Sequence, residues 1–325
     1  MIMKTTLSAA ALAASFIVSL TYSQAGLAQQ GMATLTQTGT NNSAGIDQEA
    51  GRRTEATITQ TGNDNIAGGE AVEGGIVQRS SRGAASITQD GNRNVAGILQ
   101  QQTTTYARAA VNQVGSDNLV LISQVDSFSP AVDAVQAGTR NTAYINQSHV
   151  DNMVWTRQTG TDNLITVDQN GAAYGGPVIT QDGIGNTASL TQYSDAWTGG
   201  ITVSQTGMRN NVTATRSSSS FGDGMSIVQN GNDNQATQNS SGSRSPSSIT
   251  QNGDANTASV TKSLNYNDST IMQTGNLNAA TVVQSGVTLS GSPPPNVATI
   301  IQVGEGFTAS ITQAGSGNVG TVYQH

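Results

Sequence analysis

Apolar and polar residues alternate along most of this chain, and a glycine and an asparagine break the alternation at regular intervals. Thr57-Ile58-Thr59-Gln60 is typical. A period of two predicts strands, and β-branched residues on both faces fit a pleated sheet. A recurrent Gln anchors the pattern. Two residues before it stands Ile, Leu or Val in 11 of 13 copies, from Leu35, Ile58 and Ile87 to Ile311. Nine residues after it the same types stand in 10 copies, among them Ile46, Ile98, Ile122, Ile145 and Val260.

That Gln opens an internal repeat, Gln-x-Gly-x-x-Asn-x-Ala. It falls at Gln37, Gln60, Gln89, Gln113, Gln136, Gln158, Gln181, Gln205, Gln229, Gln251, Gln273, Gln302 and Gln313. Most spacings are 22 to 24 residues; two are 29, after Gln60 and Gln273, and the last is 11. Gly follows two residues on in every copy, at Gly39, Gly62, Gly91, Gly115, Gly138, Gly160, Gly183, Gly207, Gly231, Gly253, Gly275, Gly304 and Gly315. Asn follows five on at Asn42, Asn65, Asn94, Asn118, Asn141, Asn163, Asn186, Asn210, Asn234, Asn256, Asn278 and Asn318, with Phe307 in the remaining copy. A second Gln stands eleven on in nine copies: Gln48, Gln100, Gln124, Gln147, Gln169, Gln192, Gln284, Gln313 and Gln324. Ala71, Arg216, Ser240 and Lys262 take its place elsewhere.

Each copy therefore predicts a strand, a tight turn and a strand. Gly accepts positive φ at the turn, and Asn tolerates the left-handed region better than most residues. All six prolines lie between copies, where a hydrogen-bonded sheet can accept them. A hairpin of this size cannot bury one face alone. Stacking the copies as rungs, with strands paired in parallel at about 4.8 Å, buries Ile and Val and sets identical residues above one another. Inward Gln and Asn then form ladders, each amide bonding the next. Without partners, each buried amide costs roughly 1–3 kcal/mol. The expected architecture is all-β, a single parallel β-solenoid over residues 29–325 with about 12–13 rungs and a length of roughly 60 Å.

Composition excludes several classes. There is no Cys, so no disulfide scaffold, thiolate metal site or cysteine nucleophile. Only 10% of residues are charged and the net charge is −7, which argues against a nucleic-acid partner, since phosphate contacts need clustered Lys and Arg. Residues 1–28 read as a secretory signal peptide: Lys4, an apolar run from Leu7 to Leu20, then small residues to Ala25 or Ala28. Its removal takes one basic residue, leaving 12 basic and 20 acidic, a net of −8.

The Gln-Gly-Asn-Ala-Gln spacing, repeated from about Ala33 to His325, closely resembles the curlin repeat of bacterial curli amyloid. The resemblance implies a secreted, extracellular subunit of a homopolymeric cell-surface fibre, contributing to biofilm matrix, adhesion and aggregation. It also implies two kinds of partner: an outer-membrane secretion pore with accessory proteins, and a minor curlin subunit that nucleates polymerisation. This chain has more repeats than a typical family subunit and lacks the family's Gly-rich secretion segment. Its last repeat carries no Lys or Arg, which favours the major-subunit role over a nucleator.

Position four of the turn is unusual. It reads Asn41, Asp64, Arg93, Asp117, Arg140, Asp162, Gly185, Arg209, Asp233, Ala255, Leu277, Gly306, Gly317, so seven of 13 are charged in a chain that is 10% charged. Solvated turns tolerate charge, but alternating signs on adjacent rungs also fix rung order. Arg216 and Lys262 read either as gatekeepers or as local loosening of a ladder.

Rival functions find less support. Acids concentrate in turns and loops such as Glu70 and Glu73, and no Ser/His/Asp set is visible, so no catalytic residue is assigned. The calcium nonapeptide is absent and runs such as Gly231-Asn232-Asp233-Asn234 lack the closing Glu, so no metal or cofactor is expected. The alternative is a soluble secreted solenoid that binds ice or a surface through outward Thr/Ser pairs such as Thr34/Thr36 and Thr57/Thr59. Residues 68–75 and 287–296 read as excursions from the column.

Overall fold

The structure, a computed structural model, describes residues 4–10, 18–23, 31–49, 53–68, 75–79, 82–102, 106–171, 175–193, 199–217, 224–286 and 293–325. The described residues are strands and turns without helix, arranged as a parallel β-solenoid. The chain divides into two compact units, 1–162 and 163–325.

In the first unit the strands before each turn form one sheet: Met32–Thr40, Arg53–Asn63, Arg82–Asn92, Ala107–Ser116, Ala131–Thr139 and Met153–Thr161. Each pairs in parallel with the next. The strands after the turns form a second sheet: Ser43–Glu49, Ile76–Arg79, Val95–Gln101, Leu119–Val125 and Thr142–Ser148. The second unit repeats the plan. Its first sheet holds Val178–Ile184, Ile201–Met208, Met225–Asn232, Ser247–Asn252, Asn267–Thr274, Asn296–Val303 and Val319–Gln324. Its second sheet holds Leu164–Asn170, Thr187–Tyr193, Asn211–Ser217, Gln235–Ser240, Thr257–Ser263, Ala279–Ser285 and Thr308–Ala314.

Identical motif positions meet across every pair. Gln113 lies opposite Gln89 and Gln136, and Gly115 opposite Gly91 and Gly138. A one-residue slip would turn every Ile outward, and Ile58, Ile87, Ile98 and Ile122 are fully buried. Segments 4–10 and 18–23, within the expected leader, pair antiparallel with Ser43–Glu49 and Met32–Thr40. The rest of 1–30, including both expected cleavage points, lies outside the described residues, as do most of the two long excursions.

The turn differs from expectation in one respect. The left-handed residue is not the motif Asn but the one before it: Asn41, Asp64, Arg93, Asp117, Arg140, Asp162, Arg209, Asp233, Ala255 and Leu277 have φ between 52° and 59°. The Asn itself turns inward and is buried, as at Asn65, Asn94 and Asn118. Gly does what was expected, with φ +117° at Gly115.

Two motif assignments also change. Gln313 does not open a rung. It lies in the second sheet opposite Gln284, and Gln324 returns to the first sheet opposite Gln302. Gly315-x-x-Asn318 is therefore the corner between rungs. The spacing of 11 is half a period, and both halves of a rung carry the same alternation. Ala71 does not replace the second Gln of its copy. Gln78 fills that position, opposite Gln48 and Gln100, because the excursion around 68–75 is inserted within the strand.

Stacked turns explain the glycines. A Cβ built on Gly115 would collide with the carbonyl oxygen of Gly138 on the next rung, whereas one built on Gly306 meets nothing within 4 Å. Gly115→Ala should therefore cost more than about 2 kcal/mol, and Gly306→Ala only about 1 kcal/mol for its left-handed φ. Urea unfolding of both variants reads the difference, and equal losses would refute the stacking argument.

Candidate functional site

The inward amides are the part of the fold with recognisable chemistry. In the first sheet of the first unit Gln37 Nε2 donates to Gln60 Oε1 at 2.7 Å, Gln60 to Gln89 at 2.8 Å, Gln89 to Gln113 and Gln113 to Gln136 at 2.9 Å, and Gln136 to Gln158 at 2.7 Å. In the second unit the same chain of bonds links Gln181, Gln205, Gln229, Gln251, Gln273, Gln302 and Gln324 at 2.8–2.9 Å. From Gln60 onward these Gln residues use the second N–H on a main-chain carbonyl, as Gln89 does on Ile66 at 3.2 Å and Gln113 on Val95 at 3.0 Å. Both amide hydrogens are thereby used inside the protein.

The second sheet carries a parallel ladder, Gln48 to Gln78 to Gln100 to Gln124 to Gln147, at 2.8–2.9 Å. It resumes as Gln169 to Gln192 and as Gln284 to Gln313. The Asn ladder at the turn runs with opposite polarity. Asn94 Nδ2 donates back to Asn65 Oδ1 at 3.1 Å and forward to the Gly115 carbonyl at 2.9 Å, while its main-chain N–H also donates to Asn65 Oδ1. The Gly carbonyl that forbids a Cβ is thus the acceptor that holds the Asn. Asn118, Asn141, Asn186, Asn210, Asn234 and Asn256 repeat this bond. Asn42 and Asn163 reach Gly62 and Gly183 in the same way. At Phe307 the backbone N–H still donates to Asn278 Oδ1, at 3.0 Å.

A further ladder at the opposite corner escaped the sequence reading. Asn318 Nδ2 donates to Asn296 Oδ1 at 2.9 Å, Asn296 to Asn267 at 3.0 Å, and the Asn267 backbone N–H to Ser245 Oγ at 3.2 Å. The available signal was an Asn six residues before Gln273, Gln302 and Gln324.

Between Gln192 and Gln284 the second-sheet ladder is broken. Arg216 and Lys262 point inward at the Gln position and are fully buried, with Ser240 on the rung between them. The Arg216 guanidinium donates to the Gly199 carbonyl and the Lys262 ammonium to the Ser245 carbonyl. Gln284 reaches the Asp268 carbonyl, five residues before the motif Gln of its rung; the longer cations reach one residue farther. They are core residues and not surface gatekeepers, and the Gln ladder is interrupted where they stand, as the reading of a loosened ladder expected. Ser240 Oγ, beside them, has no hydrogen-bond partner. Buried ionic side chains are commonly less stabilising than neutral replacements, by about 1–4 kcal/mol. Replacing all three by Gln should rejoin the ladder and raise the thermal unfolding midpoint of the full chain. An unchanged or lower midpoint would show that the break is not a weak point.

The turn apices carry three bidentate ion pairs on neighbouring rungs. Arg93 Nε and Nη2 bond Asp117 at 2.6 and 2.8 Å, Arg140 bonds Asp162 at 2.6 and 2.8 Å, and Arg209 bonds Asp233 at 2.7 and 2.6 Å. The hydrogen bond from each Arg holds the carboxyls of Asp117, Asp162 and Asp233 below the usual carboxylate range. A carboxyl depressed by folding contributes above its unfolded pKa, and the contribution disappears as pH falls through the folded one. The pairs are exposed, so water and salt weaken them. They are nonetheless specific, because Arg is an unfavourable choice at a left-handed φ of 52–54°.

Residues 32–62 match the family model of the curlin associated repeat. The match contains Gln37, Gly39, Asn42, Gln48, Gln60 and Gly62, the ladder and turn positions of the first two rungs. No curated protein matches the chain. The chain is thus similar to the curlin associated repeat over residues 32–62, and within each unit the register sets the same motif positions above one another.

Proposed function

We propose that the chain is a structural subunit of an extracellular, curli-like amyloid fibre that grows by adding rungs end to end. The curlin repeat and the solenoid fold are consistent with a structural subunit. The observation that carries the finer reading is at the first rung. Gln37 Oε1 is buried and has no partner, while Gln60, Gln89 and Gln113 each accept from the rung before. Gln324, in the second unit, donates Nε2 to the Thr308 carbonyl at 3.2 Å, the bond each motif Gln makes to the rung before it. A second copy placing its Gln324 on Gln37 continues the ladder without reversing its polarity. Such a contact is head-to-tail and does not close on itself, which generates filaments.

Open strand edges template addition of another chain. Segments 4–10 and 18–23 lie along the edge of the first rung, so removal of the leader frees it for a second copy. In this reading the mature chain is secreted through an outer-membrane pore with accessory proteins, nucleated by a minor curlin subunit, and accumulates as the major subunit in a cell-surface matrix.

The test is to purify residues 29–325 unfolded, remove denaturant, and follow thioflavin fluorescence and fibre diffraction. Self-seeded fibres with a 4.7–4.8 Å reflection along the fibre axis are expected. A stable monomer without that reflection would refute the reading, and one showing thermal hysteresis would favour the ice-binding alternative.

A further inference from the structure

Outward apolar residues of the second sheet stand singly in the second unit, as Leu164, Tyr193 and Val283 do, and cluster in the first. In the second unit, Asn211–Ser217 and Thr257–Ser263 present only Thr, Ser and Asn outward. In the first unit the equivalent positions on consecutive rungs hold Ile66, Val95, Leu99, Leu119, Leu121 and Tyr144. Ile66 pairs with Val95, Val95 with Leu119, and Leu121 with Tyr144. Ile66 and Tyr144 are 43% and 42% exposed, so the patch is open to solvent. Strand propensity does not demand it, because Thr serves the same positions elsewhere.

The patch is also uncharged. The outward residues of Val95–Gln101, Leu119–Val125 and Thr142–Ser148 include no Asp, Glu, Lys or Arg. In the first unit's part of that sheet, Asp47 and Arg79 neutralise each other at 3.8 Å, and the second unit's part carries the outward Asp168. The opposite sheet of the same rungs is guarded by Asp90, Arg108, Asp133 and Arg157. Guarding one face and sparing the other is how a β protein permits contact on one side only.

We infer that this face packs against the same face of a second copy and joins neighbouring fibres side by side. The inference rests on the fibre reading. Two observations favour a second copy. Copies of residues 29–325, with 12 basic and 20 acidic residues and a net charge of −8, repel each other and approach most easily where the surface is neutral. The area points the same way. Four rungs by one seven-residue strand cover about 19 by 23 Å, roughly 440 Å² a side, well short of the roughly 800 Å² per partner of a stable interface. One such contact is weak, but a fibre repeats it at every subunit, and linked weak contacts add up to firm adhesion. Flat faces at the ordinary sheet separation of about 10 Å let the Leu and Tyr side chains interdigitate.

The experiment compares residues 29–325 with the triple variant Leu99→Thr, Leu121→Thr, Tyr144→Thr, which uses the residue other rungs carry. Thioflavin growth curves report fibre formation, and electron microscopy reports the fraction of fibres lying in bundles. The expected result is unchanged growth with at least a fivefold drop in that fraction; equal bundling would overturn the inference. If the triple variant does not fold, Leu121→Lys alone gives the same readout. If the wild type forms no fibres, the fibre reading fails. Sedimentation of the soluble chains at high concentration then decides the face: weaker self-association in the variant supports it, and identical profiles overturn it. Loss of binding to phosphatidylcholine vesicles with bundling unchanged would assign the face to a lipid surface and overturn it as well.

Discussion

A buried primary amide must spend both N–H groups and its carbonyl inside the protein. This single constraint organises the molecule. Gln and Asn are expensive to bury alone, yet they fill the interior of both units beside Ile and Val. The arrangement is favourable because each amide bonds its own image one rung away. That requires parallel strands, exact superposition of motif positions and constant rung height. Slippage by one residue would turn the ladder residues out and leave their partners unsatisfied. The ladder is thus both the adhesive of the fold and its register gauge.

The turn follows from the same demand. The Asn side chain reaches the carbonyl of the Gly on the next rung, and that carbonyl is within reach only because no Cβ stands in the way. Gly and Asn therefore form one device, repeated at each corner. The Gln and Asn ladders point in opposite directions along the stack, so their amide dipoles oppose rather than accumulate. Outside, the ion pairs at the apices add orientation at little energetic benefit, since each is exposed.

Most of the rung was legible because repetition multiplies a weak local signal. Period-two alternation and the Gln-x-Gly-x-x-Asn spacing specify strand, corner and inward face, and the solenoid has them as read. Beyond the left-handed turn position and the Asn ladder at the opposite corner, three further features were not legible, each for an identifiable reason. Gln78 was hidden by an insertion within its strand. Gln313 was misassigned because both halves of a rung obey the same alternation, so a motif search cannot tell which half it has entered. Arg216 and Lys262 left two readings open, gatekeeper or loosened ladder, because burial of an Arg or Lys runs against local rules; their side chains reach the Gly199 and Ser245 carbonyls.

In the proposed fibre, an end contact that repeats the internal amide bond would extend the ladder from one copy to the next, and this links the ladder to the proposed structural role. The claim rests on the side-chain amides being real hydrogen-bonded ladders and not merely neighbours in space. Hydrogen–deuterium exchange of the Gln side-chain N–H groups, followed by NMR on the folded chain, tests this directly. Gln89, Gln113 and Gln136 should exchange as slowly as the backbone amides of Ile87, Val111 and Ile122. Exchange of those side-chain amides at the rate of free glutamine, with the backbone still protected, would contradict the account.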